Sequence, residues 1–116
     1  MNKRFSGLDI ERVDVGGRLT LMLGGELDVA SAPTLHRTIA EICGDEPAPM
    51  AITLDLSGLV FIDSTGLAEI ILTSKLCDRD GHDFTLIRGP RSVQRLFELT
   101  GLIDALPFQP AANATE

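Results

Sequence analysis

The chain has 116 residues, 44% of them apolar and 23% charged, with a formal net charge of −7. That is the size and balance of one ordinary globular domain, able to bury a core without disulfides or a structural metal. The acidic excess excludes nucleic acid and an anionic membrane surface as default partners, and no apolar stretch approaches the roughly 20 residues of a membrane span.

Leu8, Ile10, Val13 and Val15 predict a first strand whose alternation slips once near Glu11-Arg12. Gly16-Gly17 is a two-residue hairpin signal, and Leu19, Leu21 and Leu23 then alternate with Thr20 and Met22 in a second strand. Gly24-Gly25-Glu26-Leu27-Asp28 is expected to end that strand in a loop. Ser31 and Pro33 mark a helix start, Leu35, Ile39 and Ile42 keep helical spacing, and Gly44 is a natural stop. Asp45 to Pro49 carries two prolines and reads as an exposed loop.

Met50 to Leu56 predicts a strand buried on both faces, broken by Ser57-Gly58. From Ser64 to Arg79 the pattern is helical, with Leu67, Ile70, Ile71, Ser74 and Cys77 on one face and Leu72 and Leu76 widening it. This most apolar helix is expected to be the most enclosed. Phe84-Thr85-Leu86-Ile87 is the next strand. Gly89-Pro90 opens a last helix with Val93, Leu96, Phe97 and Leu99 facing inward and Gly101 at its end. Leu102, Ile103, Leu106 and Phe108 add a closing segment. Residues 1–108 then form one domain and 109–116 a flexible tail.

The order β-β-α-β-α-β-α implies an α/β domain. Strands joined through helices are parallel, and the opening hairpin makes the sheet mixed. Sites in open α/β sheets lie at strand-to-helix turns. Here Gly, Ser and Asp cluster after the second strand and after Leu59-Val60-Phe61-Ile62. Met1 to Gly7 lacks the apolar segment of a signal peptide, so the default location is cytoplasmic, and Lys3-Arg4 is too short to be a basic arm. Cys43 and Cys77 do not form a CxxC pair and are expected to be two buried free thiols.

Asp63-Ser64-Thr65-Gly66-Leu67 is the most informative segment. Ser64 sits at a helix N-terminus, where unpaired N–H groups and the positive dipole end suit either a cap or a phosphate. Position alone favours the cap. Nucleophilic catalysis by Ser64 lacks a base, since the only histidines, His36 and His82, read as exposed polar residues outside any G-x-S-x-G elbow. Asp28, Asp55 and Asp63 could meet at one sheet edge, but no further ligands complete a metal site, and no cofactor is expected. Gly24-Gly25 and Gly58 do not make a phosphate loop, and GK[ST] is missing, which disfavours a nucleotide-binding domain.

Three segments, in order, carry a resemblance: Gly25-Glu26-Leu27-Asp28; Leu54-Asp55-Leu56-Ser57-Gly58 running into Phe61-Ile62-Asp63-Ser64-Thr65-Gly66-Leu67; and Val93-Gln94-Arg95-Leu96-Phe97-Glu98-Leu99-Thr100-Gly101-Leu102. From about Leu8 to Phe108 the chain resembles the STAS family, specifically the bacterial anti-sigma factor antagonists. That resemblance implies a mixed sheet with helices packed on it, and a regulatory protein rather than an enzyme. It implies that the unphosphorylated form binds an anti-sigma factor serine kinase and frees a sigma factor. Phosphorylation of Ser64 would release the kinase, and a serine phosphatase would reset the switch. Carried over by position, Asp28, Asp63, Ser64, Thr65, Gly66 and Leu67 face the partner, with Gly66 keeping the helix start open to it. Leu27, Val29 and Leu67 are expected to supply apolar contact. The family also contains domains of anion transporters, which the missing span disfavours for a single chain. The alternative is a STAS subunit of a stress-signalling or lipid-transport assembly, with Ser64 only a structural helix cap.

Overall fold

The computed structural model describes residues 7–110; Lys3-Arg4 and most of the expected tail lie outside them. The elements are β1 (Leu8–Val15), β2 (Arg18–Leu27), α1 (Ala32–Cys43), β3 (Ala51–Ile62), α2 (Ser64–Arg79), β4 (Asp83–Ile87) and α3 (Arg91–Leu99). The four strands lie in the order β1-β2-β3-β4, with β1 antiparallel to β2 and the other pairs parallel. Gly16 and Gly17, with φ of 60° and 81°, form the hairpin turn in the left-handed region that two-residue hairpins demand.

Right-handed crossovers between successive neighbours place α1 and α2 on the same face of the sheet. The core lies between: Leu19, Leu21, Leu23, Ile52, Leu54, Leu56 and Leu86 point into it and meet Leu35, Ile39, Ile42, Ile70 and Phe97. The opposite face carries a row of threonines, Thr20, Thr53 and Thr85, aligned across three strands, with Thr53 and Thr85 hydroxyls 2.9 Å apart. The expectation that β3 is buried on both faces is therefore corrected. Its alternation Ile52, Leu54, Leu56 against Thr53 and Asp55 belongs to a sheet covered on one side.

The glycines expected to end strands instead sit within them. Gly24 stands opposite Gly58 on the neighbouring strand, and the register shifts between Met22 and Gly24 and again between Gly25 and Glu26. Each shift inserts one extra residue into β3, as a β-bulge does. A Cβ at Gly58 would lie 2.8 Å from the Leu23 carbonyl oxygen, so only glycine lets the two backbones close at that step. The Asp55 carboxylate accepts the Ser57 amide at 2.9 Å beside the first bulge. The bulges change the inward spacing from two to three, so that Leu56, Leu59 and Ile62 are all buried. They also carry both strands onward to Leu27 and Ile62.

Other expectations change in detail. β1 pairs with β2 without a slip; Val13 and Val15 occupy the uncovered face and are exposed. In α2 the inward residues are Gly66, Leu67, Ile70, Thr73 and Cys77, while Leu72 is 48% exposed, so this helix buries one stripe like its neighbours. Leu99 turns outward from α3, and Gln94 is buried in that helix, its side chain accepting the Gly89 amide at 2.7 Å. The closing segment docks as expected: Phe108 bridges to Leu86 and meets Phe97 edge-on at 5.0 Å. Gln109, expected to begin the tail, donates its amide to Leu86 at 2.8 Å. Among the described residues no helix is long and apolar enough to cross a membrane.

Candidate functional site

The extended ends of β2 and β3 lie side by side, Leu27 opposite Ile62, and each hands the chain to a helix through an aspartate. After β2, Asp28 Oδ1 accepts the amides of Ala30 and Ser31 at 3.0 and 3.1 Å, building the turn into α1. Ser31 Oγ donates to the Glu26 carbonyl at 2.7 Å and accepts the Asp28 amide at 3.0 Å. After β3, Asp63 has extended backbone and is the N-cap of α2, its Oδ1 accepting the Gly66 amide at 2.9 Å. Its Oδ2 accepts the Val29 amide at 3.2 Å, tying the two loops together.

This geometry corrects the assignment of the cap. Ser64 is the first residue of the helix, one position past the N-cap, and is exposed. Its hydroxyl has no hydrogen-bond partner among the described residues, because the aspartate beside it has taken the N3 amide. A carboxylate has two oxygens and can serve the helix and the neighbouring loop together, which one hydroxyl cannot. The first-turn amides of Ser64 and Thr65 face outward beside that free hydroxyl.

The expected partner-facing residues divide by burial. Ser64, Thr65 and Val29 are exposed, Val29 by 68%, and Asp28 and Asp63 are half-buried. Leu27 and Leu67 are buried in the core and offer no surface, which corrects their expected contact role. Gly66 is buried too. A Cβ there would overlap the Leu27 carbonyl oxygen, so the missing side chain serves the packing of α2 on β2 rather than the approach of a partner.

The sequence reading missed apolar surface beside the site. Val60 and Phe61 are exposed on the bulged end of β3, and with Leu96 and Leu99 they line a cleft of about 330 Å³. The three-residue spacing of Leu56, Leu59 and Ile62 was the available signal, since a bulged strand keeps those inside and turns Val60 and Phe61 out. Asp55 stands opposite Met22 in mid-sheet, apart from Asp28 and Asp63, so the three carboxylates do not meet. His36 is engaged with Glu69 at 3.1 Å. His82, expected to be exposed, is buried, because its Nδ1 is drawn 2.7 Å from the Pro49 carbonyl oxygen.

Comparison with known proteins places this arrangement. The family model described as STAS domain matches residues 9–114. The anti-sigma-B factor antagonist of Staphylococcus aureus (strain NCTC 8325 / PS 47) is 29% identical over 99 residues, covering 85% of this chain and 90% of its own. The crystal structure of an anti-sigma factor antagonist from Mycobacterium paratuberculosis superposes with a TM-score of 0.77 at 25% identity, covering 91% of this chain and 88% of that one. The Bacillus cell fate determinant SpoIIAA, solved in its phosphorylated form, shares the fold with a TM-score of 0.68 at 18% identity, over 92% of this chain and 95% of its own. A mixed sheet opened by a hairpin, an aspartate-capped helix after its third strand and a family match spanning almost the whole length lead to one conclusion: this chain belongs to the STAS domain family.

Proposed function

We propose that this protein is an anti-sigma factor antagonist whose binding is switched by a phosphate on Ser64. The observation that carries the reading is the free, exposed Ser64 hydroxyl at the start of α2, with the capping done by Asp63. A kinase can take this hydroxyl without breaking a native hydrogen bond. The phosphate adds about −1.5 to −2 charges at neutral pH. The first-turn amides and the helix dipole stabilise it by up to about 1 kcal/mol, and the nearby Asp63 and Asp28 oppose it. The fold is thus left nearly as stable as before. A partner docked over Ser64, Thr65 and Val29, by contrast, has to accommodate a dianion in its contact surface.

In this reading the unphosphorylated form captures an anti-sigma factor that is itself a serine kinase, and so frees the sigma factor. Phosphorylation releases the kinase, and a serine phosphatase restores the hydroxyl. The chain is read as the kinase's substrate and not an enzyme; among the described residues Ser64 has no basic partner to make it a nucleophile. The cycle is read as cytoplasmic, the location expected from the sequence. The relatives known as anti-sigma factor antagonists and the phosphorylated state of SpoIIAA support the assignment.

The test is direct. The anti-sigma kinases of the source organism are expressed singly, incubated with this chain and ATP, and the product is mapped by mass spectrometry. The expected product carries one phosphate, on Ser64, and Ser64→Ala carries none while still binding the unmodified partner. A phosphate mapped to Thr65 or elsewhere, or equal binding of the phosphorylated and free forms, would overturn the reading.

A further inference from the structure

At the end of the sheet opposite Ser64, α1 finishes at Cys43, α2 at Arg79, and β4 begins at Asp83. One donor atom from each of Cys43, Asp80 and His82 lies within 4.8 Å of the other two. His82 is only 9% exposed, and its Nε2 is buried with no hydrogen-bond partner. Its Nδ1 lies 2.7 Å from the Pro49 carbonyl oxygen. A carbonyl can only accept, so Nδ1 carries a proton, and in the neutral ring Nε2 presents a lone pair. A backbone carbonyl on one nitrogen is the device that orients histidines toward metals through the other. A buried acceptor left unpaired in this way calls for a ligand.

We propose that Cys43, Asp80 and His82 form a binding site for a thiophilic divalent cation of the zinc class. The donor set is one sulfur, one imidazole nitrogen and one carboxylate oxygen, which suits zinc and disfavours the all-oxygen cations magnesium and calcium. Tetrahedral ligands around zinc stand about 3.5 Å apart, so binding draws the three donors together by about 1 Å. Arg79 Nε holds Asp80 Oδ1 at 3.1 Å, leaving the second carboxylate oxygen for the cation. The fourth position falls to water or to Cys77, which neighbours Cys43. The carbonyl ends of α1 and α2 both terminate here, and their dipoles favour positive charge. A surface cleft of about 380 Å³, bordered by Ser74, Lys75, Asp78, His82 and Asp83, touches the histidine but neither Cys43 nor Asp80. A cation there would clamp the ends of two helices to the start of β4, a structural role at the end of the molecule away from the switch. The inference stands whether or not Ser64 is phosphorylated.

The experiment uses the full chain, untagged, reduced and stripped with chelator. Co²⁺ is titrated as a spectroscopic probe and then displaced with Zn²⁺. One equivalent of Co²⁺ is expected to give a thiolate charge-transfer band and tetrahedral ligand-field bands, both erased by Zn²⁺. Zn²⁺ is expected to raise Tm by several degrees, because it binds the native state alone. Cys43→Ser and Asp80→Asn are each expected to weaken Zn²⁺ binding by about tenfold or more. Asp80 is exposed, so its variant keeps the apo fold, checked by circular dichroism, even if a change at buried His82 does not. Absence of a charge-transfer band in the wild type, or wild-type Zn²⁺ affinity in the Cys43→Ser/Asp80→Asn double variant, would overturn the proposal.

Discussion

The two ends of α2 are built on opposite principles. At its N-terminus the carboxylates are committed: Asp63 serves Gly66 and Val29, Asp28 serves Ala30 and Ser31, and the exposed hydroxyls of Ser64 and Thr65 are left without a partner among the described residues. At its C-terminus the group left over is the buried Nε2 of His82, a residue that lies close to Cys43 and Asp80. A free group on the surface costs little, because water satisfies it, and it is open to an enzyme. A free group in the interior is costly, and it is open to a ligand that can replace water. The same helix therefore presents free hydroxyls to solvent at one end and an unpaired ring nitrogen to the interior at the other.

The contrast can be broken most severely at its packing. Gly66→Ala places a methyl group against the Leu27 carbonyl and is expected to cost about 3 kcal/mol in urea unfolding. Gly81→Ala, just past the other end, meets no atom within 4 Å and costs only the left-handed backbone, about 1 kcal/mol. Equal losses at the two glycines would remove the packing argument for the switch end.

Next in size is the cap. Asp63→Ala removes both bonds that tie α2 to the β2–α1 loop and is expected to cost about 2 kcal/mol, with faster amide exchange at Val29 and Gly66. If Ser64 were the cap instead, Asp63→Ala would cost little and Ser64→Ala would carry the loss.

Ser64→Glu is expected to leave Tm within a few degrees while weakening capture of the anti-sigma factor by about tenfold or more, read by calorimetry. An unchanged affinity would separate the exposed hydroxyl from the contact surface.

A smaller effect belongs to pH and to the other end. Burial, with the neighbouring Cys43 and Asp80, pushes the Cys77 thiol up from 9.0 to about 12. The folded state thus keeps a proton that the unfolded state loses above pH 9. Stability from this group is complete below that pH and declines as pH rises toward about 12. At pH 10 the loss is about 1 kcal/mol. Urea midpoints of wild type and Cys77→Ala at pH 8 and 10 should show the wild type falling further.

The smallest expected effect is also diagnostic. Ser64→Ala should change stability by less than about 0.5 kcal/mol, since its hydroxyl makes no hydrogen bond among the described residues.

The order of strands and helices was legible from the chain because it rests on local signals. The Gly16-Gly17 turn, the alternation of Leu19 to Leu23, the helical spacing from Leu67 to Cys77 and the Gly44 stop each act within a few residues. The start of α2 was legible in outline for the same reason, as Asp63, Ser64 and Gly66 all belong to one turn of helix. Three residues around it were misjudged. Gly66 and Leu67 follow Ser64 and Leu27 ends β2, but whether they face a partner or the core depends on how closely α2 lies on β2.

What the sequence by itself determined, then, is the architecture and the location of a hydroxyl at a helix start, because periodicity, turns and caps are short-range physics. Only the tertiary structure decided which group caps α2, where the strands end and that His82 is buried. Gly24 and Gly58 act as a bulge rather than as strand ends only because they face each other across two strands. The Val29 amide reaches Asp63, and Cys43 reaches Asp80 and His82, across more than thirty residues of chain. Such pairings exist only once the sheet has brought its two ends together, and no local pattern encodes them.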